Sequence, residues 1–310
     1  MAELSFSQKV KEEIISRINS PAKAEACLYG LLCCCNELSA ENIVLLTENK
    51  SVADFFCHNA EKLCGEGTVS TSCTDRGGSV MYELSVVDES ARRRLLSHFH
   101  ITEKRISDKP NYPKQSLYPQ MAAGMFLACG SLSDPNKGYH MELSLPDLDV
   151  CNMLGLILIE KYDMIAKNIE RKHRQILYFK ESDNIIDMLA LMGATNLSFE
   201  LTDVKLFKEM RNNINRGMNC LNANIDKSIK ASEKQIADIE LIERKMGLDS
   251  LPKNLRDIAQ LRCENPEYNL SELGAALLPP ISRSGANHRL QKLAEIAEGL
   301  RKTDRTEGGK

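Results

Sequence analysis

The side chains best suited to contact chemistry gather in NLSELGAALLPPISRSGANHRLQKLAEIAEGL (269–300), where Ser282, Arg283, Ser284, Asn287, His288, Arg289, Gln291 and Lys292 crowd into a short stretch. Arginine and lysine can bond guanine O6 and N7 or grip a phosphate, and asparagine can pair bidentately with adenine. Serines and free N–H groups at a helix start can hold a phosphate, and His288 can donate to either. The elements that must position these groups read as two helices and a tight turn. Asn269 and Glu272 form a capping-box start, and Leu270, Leu273, Leu277 and Leu278 give that helix one apolar face. PPIS (279–282) breaks the chain, and Ser282 is placed to cap the next helix. There Ala286, Leu290, Leu293 and Ala297 form the buried face. At about 100° per residue, Ser284, His288, Gln291 and Lys292 point away from it, with Asn287 and Arg289 on the flanks. This is how a helix-turn-helix presents side chains to the major groove. Glu295 shares the polar face and would repel DNA, which confines a reading surface to the first two turns. A merely solvated face has the same pattern, so DNA contact and solvation both stand as readings of these residues.

Cysteine is the other reactive type. Eleven occur, an odd number, with no CxxC pair and no histidine at zinc-finger spacing. Most lie in apolar segments, where a free cysteine behaves as a small buried hydrophobe. Cys33, Cys34 and Cys35 are consecutive in CLYGLLCCCNEL (27–38), and neighbours on a helix point about 100° apart, so they cannot close a tetrahedral metal site alone. No metal and no cofactor are expected. The N-terminus lacks a signal-peptide core, and the longest apolar runs are about ten residues, too short to span a bilayer. The expected setting is cytoplasmic, in association with the nucleoid, without a membrane partner. The formal net charge is -3, so nucleic-acid binding must come from local basic patches. Tryptophan is absent and aromatics are 5%, which disfavours a site built on stacked rings.

The cysteine-rich stretch has a second version. CLYGLLCCCNEL aligns with MAAGMFLACGSL (121–132), pairing Gly30 with Gly124, Cys35 with Cys129 and Leu38 with Leu132. Each copy then runs helix, hairpin, helix, hairpin, helix. Such a repeat implies a pseudo-two-fold α+β domain. A mid-helix glycine costs about 1 kcal/mol against alanine, so two at matching positions indicate that the helix backbones approach closely there.

The expected fold class is α+β: a pseudo-two-fold domain of two α-β-β-α-β-β-α repeats followed by an all-α helix-turn-helix domain. The repeats span about 20–100 and 115–195 within a domain at 1–196, and Pro- and Asn-containing residues 107–119 read as the connection between them. Residues 197–230 read as a polar, basic linker, with Lys205, Lys208, Arg211, Arg216, Lys227 and Lys230 against Glu209 and Asp226. A helical domain at 231–303 and a disordered tail at 304–310 complete the expected order.

SELGAALLPPISRSGANHRLQKL, AGMFLACGSLSDPNKGYHMEL and NRGMNCLNANIDKSIKASEKQI resemble the WhiA family of sporulation and cell-division regulators of Gram-positive bacteria, and the similarity covers nearly the whole chain. The resemblance implies an N-terminal domain like LAGLIDADG homing endonucleases and a DNA-binding C-terminal helix-turn-helix. In those enzymes the last Asp of each motif holds metal ions for phosphodiester cleavage. Gly30 and Gly124 match the motif's first glycine, so the catalytic positions fall on Cys35 and Cys129. Two-metal hydrolysis needs hard oxygen ligands, which a neutral thiol does not supply. Glu37 has Ser131 as its repeat partner, so no symmetric acid pair replaces the lost one. The resemblance also implies that sheet hairpins can lie along DNA, which makes the basic turn RKHR (Arg171, Lys172, His173, Arg174) a second set of phosphate contacts, alongside Arg211, Arg216 and Lys227. A solvated hairpin tip fits RKHR equally well.

The function expected is that of a sequence-specific transcriptional regulator of cell division, chromosome segregation or sporulation, on a scaffold that is not an enzyme. Its partner is double-stranded DNA, with a second transcription regulator as a further candidate. An active endonuclease and a non-DNA interaction or small-molecule-sensing module are the alternatives.

Overall fold

A computed structural model describes residues 4–75, 77, 80–102, 104–109 and 111–307, with side chains to 302. The chain forms two compact units, Met1–Glu209 and Met210–Lys310.

In the first unit, helix α1 (Phe6–Ser16) begins with a capping box in which Ser5 Oγ accepts from the Gln8 N–H and Gln8 accepts from the Ser5 N–H. Two repeats follow. The first is α2 (Pro21–Cys33), β1 (Glu37–Leu38), β2 (Ile43–Thr47), α3 (Lys50–Cys64), β3 (Val69–Asp75), β4 (Val80–Val86) and α4 (Glu89–His98). The second is α5 (Tyr118–Cys129), β5 (Gly130–Leu132), β6 (Met141–Leu145), α6 (Leu148–Tyr162), β7 (Lys167–Arg171), β8 (Arg174–Phe179) and α7 (Ser182–Met192). Each builds a four-stranded antiparallel sheet with the same strand order, β1-β2-β4-β3 and β5-β6-β8-β7. Strands β2 and β6 bury alternate residues, as a sheet with one covered face must. The N-cap of α3 is Asn49, whose side chain accepts from the Val52 N–H.

Helices α2 and α5 form the centre of this unit. Ala26 through Cys33 of α2 and Met121 through Leu127 of α5 are all buried. A Cβ on Gly30 would lie 2.0 Å from the Met121 carbonyl oxygen, and a Cβ on Gly124 would lie 1.9 Å from that of Cys27. Only glycine permits this approach. The connection between the repeats packs as well. The Tyr29 hydroxyl, buried with α2, accepts from the Ser107 N–H at 2.8 Å, and Tyr112 stacks edge-on against the Tyr29 ring at 5.2 Å. A buried tyrosine needs a partner for its hydroxyl, and the connecting segment supplies it.

The expected linker at 197–230 is helical throughout. It lies within α8 (Thr195–Met246), and the division between the units falls inside this helix. No proline interrupts the ladder of hydrogen bonds, and the asparagines cost only about 0.7 kcal/mol each against alanine. A stripe of exposed apolar residues, Met210, Ile214, Met218, Leu221, Ile225 and Ile229, runs along α8 at helical spacing beneath the polar composition.

The second unit continues through a 3-10 turn (Leu248–Ser250) to α9 (Lys253–Glu264), α10 (Leu270–Ala276) and α11 (Arg283–Glu307). Its core joins Ile239 and Ile242 of α8 to Leu255, Ile258, Leu273, Ala286, Leu290, Leu293 and Ala297. Leu278 is not part of the apolar face of α10. The helix stops at Ala276, and Leu278 is 89% exposed in the turn. Helix α11 runs through Glu307 into the expected disordered tail, whose residues 308–310 lie outside the described ones. Among the described residues no helix is long and apolar enough to cross a membrane.

Candidate nucleic-acid interface

The turn between α10 and α11 is fixed from both sides. Asn269 accepts from the Ser271 and Glu272 N–H groups, and Glu272 accepts from the Asn269 N–H, closing the capping box. The Ile281 N–H donates to the Gly274 carbonyl at 2.9 Å, and a Cβ at Gly274 would meet the Ile281 oxygen at 2.5 Å. Gly274 therefore lets the turn fold flat against α10. Ser282 Oγ accepts from the Gly285 N–H and caps α11.

This geometry leaves Ser282, Arg283, Ser284, His288, Gln291 and Lys292 exposed along the first turns of α11, with Asn287 and Arg289 half-buried beside them. Arg289 is partly engaged, since its Nη1 donates to the Asn254 carbonyl on α9 at 3.3 Å. Its other N–H groups stay available, but the side chain leans toward α9 rather than standing free.

Arg211, Arg216 and Lys227 all lie on α8. They do not converge. Arg216 and Lys227 share a face about three turns apart, whereas Arg211 is turned about 140° from Arg216. Lys227 meets Arg283 and Asn287 at a cavity of about 620 Å³, which also takes in Asn269, Gln235 and Arg262. Among the described residues no carboxylate lines it. Arg262, Gln235 and Asn269 escape a search for exposed basic patches. The sequence signal for Arg262 is its position, seven residues after Leu255 on the apolar face of α9.

In the first unit, Lys172 and His173 form the tip of the β7–β8 hairpin with φ of 52° and 60°. That is the left-handed pair a two-residue hairpin turn requires. Arg171 and Lys172 are exposed. Arg174 is not free, because its Nε and Nη2 donate to the Ser144 hydroxyl and carbonyl on β6. It locks the hairpin to the sheet.

Cys35 follows the end of α2 and is buried, and its carbonyl accepts from Arg105 Nη1 at 2.7 Å. Burial pushes the thiols of Cys33 and Cys35 up to about 12, so both are neutral near pH 7. Cys129 is half-buried, with its Sγ donating to the Met125 carbonyl. At this end of the helix pair a cavity of about 470 Å³ is lined by Lys11, Asn36, Glu48, Gly130 and Ser131 among others. Among the described residues Lys11 and Glu48 are its only charged lining residues. Burial lowers the pKa of Lys11, against the opposing pull of Cys129 and Glu48. Glu37 is exposed on β1, and Asp134 is engaged with the N–H groups of Asn136. Among the described residues no three His, Cys, Asp or Glu side chains are grouped to hold a metal.

Two α+β repeats meeting through paired glycines, with a capped helix-turn-helix in the second unit, define a LAGLIDADG-like fold joined to a helix-turn-helix domain. The comparisons agree. A model of the WhiA LAGLIDADG-like domain matches residues 119–211, and a model of the WhiA C-terminal HTH domain matches residues 214–297. The chain belongs to the WhiA family. A probable cell division protein WhiA of Lachnoclostridium phytofermentans is 36% identical over 315 residues, spanning 96% of this chain and 100% of its own. One of Clostridium perfringens is 35% identical over 325 residues, spanning 96% and 99%. The crystal structure of full-length WhiA from Thermatoga maritima has the same fold, with a TM-score of 0.58 at 23% identity over 95% of this chain and 98% of that one.

Proposed function

We propose that this chain is a sequence-specific DNA-binding transcriptional regulator acting in cell division, chromosome segregation or sporulation, with a LAGLIDADG-like unit that does not cleave DNA. The observation that carries the reading is the exposed, acid-free start of α11, where Ser282, Arg283, Ser284, His288, Gln291 and Lys292 stand clear of the core. A helix docked by its N-terminal turns brings such groups to base edges, with Asn287 placed to pair with adenine. Lys227, Arg171 and Lys172 supply phosphate contacts, which strengthen binding without selecting sequence. The place of action is the cytoplasm, on the nucleoid.

The absence of cleavage rests on the donor set. Where LAGLIDADG enzymes carry acids, Cys35 and Cys129 are neutral or engaged, and Glu48 has no carboxylate partner in its cavity. Hard divalent ions need several oxygen ligands. A footprint on genomic fragments, repeated over a range of salt, tests binding. Protection that is unchanged in the Lys292→Ala and His288→Ala variants at every salt concentration refutes the assignment of α11. Steady nicking of DNA in Mg²⁺, lost in Glu37→Ala, Glu48→Ala or Asp134→Ala, refutes the non-catalytic reading.

A further inference from the structure

The cavity between α8, α9 and the helix-turn-helix is built for an anion. Lys227, Arg262 and Arg283 bring three cations to it, and among the described residues no acid lines it. Arg262 is the unusual member. It is 2% exposed, yet its hydrogen bonds all go to neutral oxygens: the Ser232 hydroxyl and the carbonyls of Asn265, Pro266 and Tyr268. Those bonds use Nη1, and Nε has no partner. Glu267 lies near enough to be felt but accepts no bond from it. A buried guanidinium whose hydrogen bonds all go to neutral oxygens is costly. Gln235 Oε1, on the same cavity, is also unpartnered, and turning that amide presents its NH₂ instead. Asn224, Asn269 and Ser228 add further neutral donors around the wall.

We infer that this cavity binds a phosphate group, with Lys227 and Arg283 at its walls and the buried charge of Arg262 beneath. The phosphate can come from the DNA backbone or from a free phosphate-bearing ligand, and only the first source rests on the DNA-binding reading above. In that case α8 takes part in docking, and the cavity fixes how far α11 enters the groove.

Two measurements on the full chain decide the matter. In the first, DNA affinity is followed against salt for wild type and Lys227→Gln. A backbone phosphate in the cavity predicts weaker binding to specific and random DNA alike, with the log–log salt slope reduced by about 0.9 per lost contact. In the second, pyrophosphate is titrated without DNA while the melting temperature is read. A free ligand predicts a saturable rise that Lys227→Gln abolishes. Arg262→Lys, which keeps the charge but cannot satisfy the same carbonyls, should fold less stably while retaining whichever response wild type shows. If the slope is unchanged and pyrophosphate gives no saturable shift, the site is refuted. A wild-type chain that binds no DNA sinks the proposed function, and the pyrophosphate arm alone then judges the cavity.

A separate observation concerns α8. Met210, Ile214, Met218, Leu221, Ile225 and Ile229 are each more than half exposed. Their spacing of four, four, three, four and four residues is palindromic and keeps them within about a 100° arc. Read in reverse from a second helix, Met210 meets Ile229, Ile214 meets Ile225 and Met218 meets Leu221. The same register sets Arg211 opposite Ser228 and within one turn of Asp226 of the second copy, whereas a parallel register pairs each charge with itself. At roughly 100 Å² per side chain, two such stripes offer about 1,200 Å², the lower bound for a stable interface. We propose that α8 pairs antiparallel with α8 of a second copy of this chain, in a two-fold dimer. Light scattering should give twice the chain mass. Leu221→Asp should return it to the chain mass with helix content retained. Arg211→Asp should weaken the dimer and the added Asp226→Arg restore it. The chain mass at every concentration tested, or a dimer that survives both Ile214→Asp and Leu221→Asp, overturns the pairing.

Discussion

The two polar cavities differ in charge more than in size. The one at the end of the α2–α5 pair, about 470 Å³, holds a single lysine and a single glutamate among its lining residues. The one beside α11, about 620 Å³, holds three cations and no acid among the described residues. A balanced pair partly neutralises itself and makes a poor magnet for either a metal or a phosphate. An unbalanced set keeps its field and draws an anion. The contrast teaches that net charge, more than volume, separates the two cavities.

The largest effect expected of a single change tests the neutral side of this comparison. Gly124→Ala should destabilise the chain by about 3 kcal/mol or more, because the new Cβ meets backbone that cannot rotate away. Urea denaturation measures it, and a loss below about 1 kcal/mol shows that the helices can part more easily than their contact suggests. On the charged side, Asn287→Ala should cost about 1–3 kcal/mol for a preferred site. Random DNA should be affected far less. Equal loss on both makes Asn287 a phosphate contact instead of a base reader.

Lys11 offers a pH test of the balanced cavity. Its folded pKa lies below the unfolded value, so between the two the unfolded chain binds more protons. Stability from this group therefore rises as pH climbs through the folded pKa toward the unfolded one, and is lowest when the ammonium is fully charged. Lys11→Met should flatten that rise and leave neutral-pH stability equal or higher. A steeper rise in the variant contradicts the assignment. The smallest effect concerns thiol labelling. Alkylation of native protein should mark exposed Cys73 and Cys220 early, while buried Cys27, Cys33, Cys34 and Cys35 react only on unfolding. Mass spectrometry of peptides reads the order.

Much of the architecture was legible because it repeats. Gly30 and Gly124 could be aligned by eye, and apolar spacing marked the two helices of the turn. The face of α11 followed from Ala286, Leu290, Leu293 and Ala297 alone. What escaped was long-range or masked by composition. The asparagines between Asn212 and Asn224 suggested a linker, although the apolar positions beneath them keep helical spacing. Arg174 looked like a free cation until Ser144, thirty residues earlier, proved to hold it. Arg262 gave only a positional hint, since no sequence pattern tells whether a buried arginine finds a counter-ion.

The paired glycines carry a consequence for how this chain can vary. Each protects a carbonyl of the opposite helix at the position three residues before its counterpart, so the two contacts are one contact seen from either side. Once an alanine at one position has forced the helices apart, the second glycine has less to protect. A double-mutant cycle should therefore show the pair costing less than the two single changes together. In genetic terms the positions are epistatic: each glycine is indispensable only while the other remains.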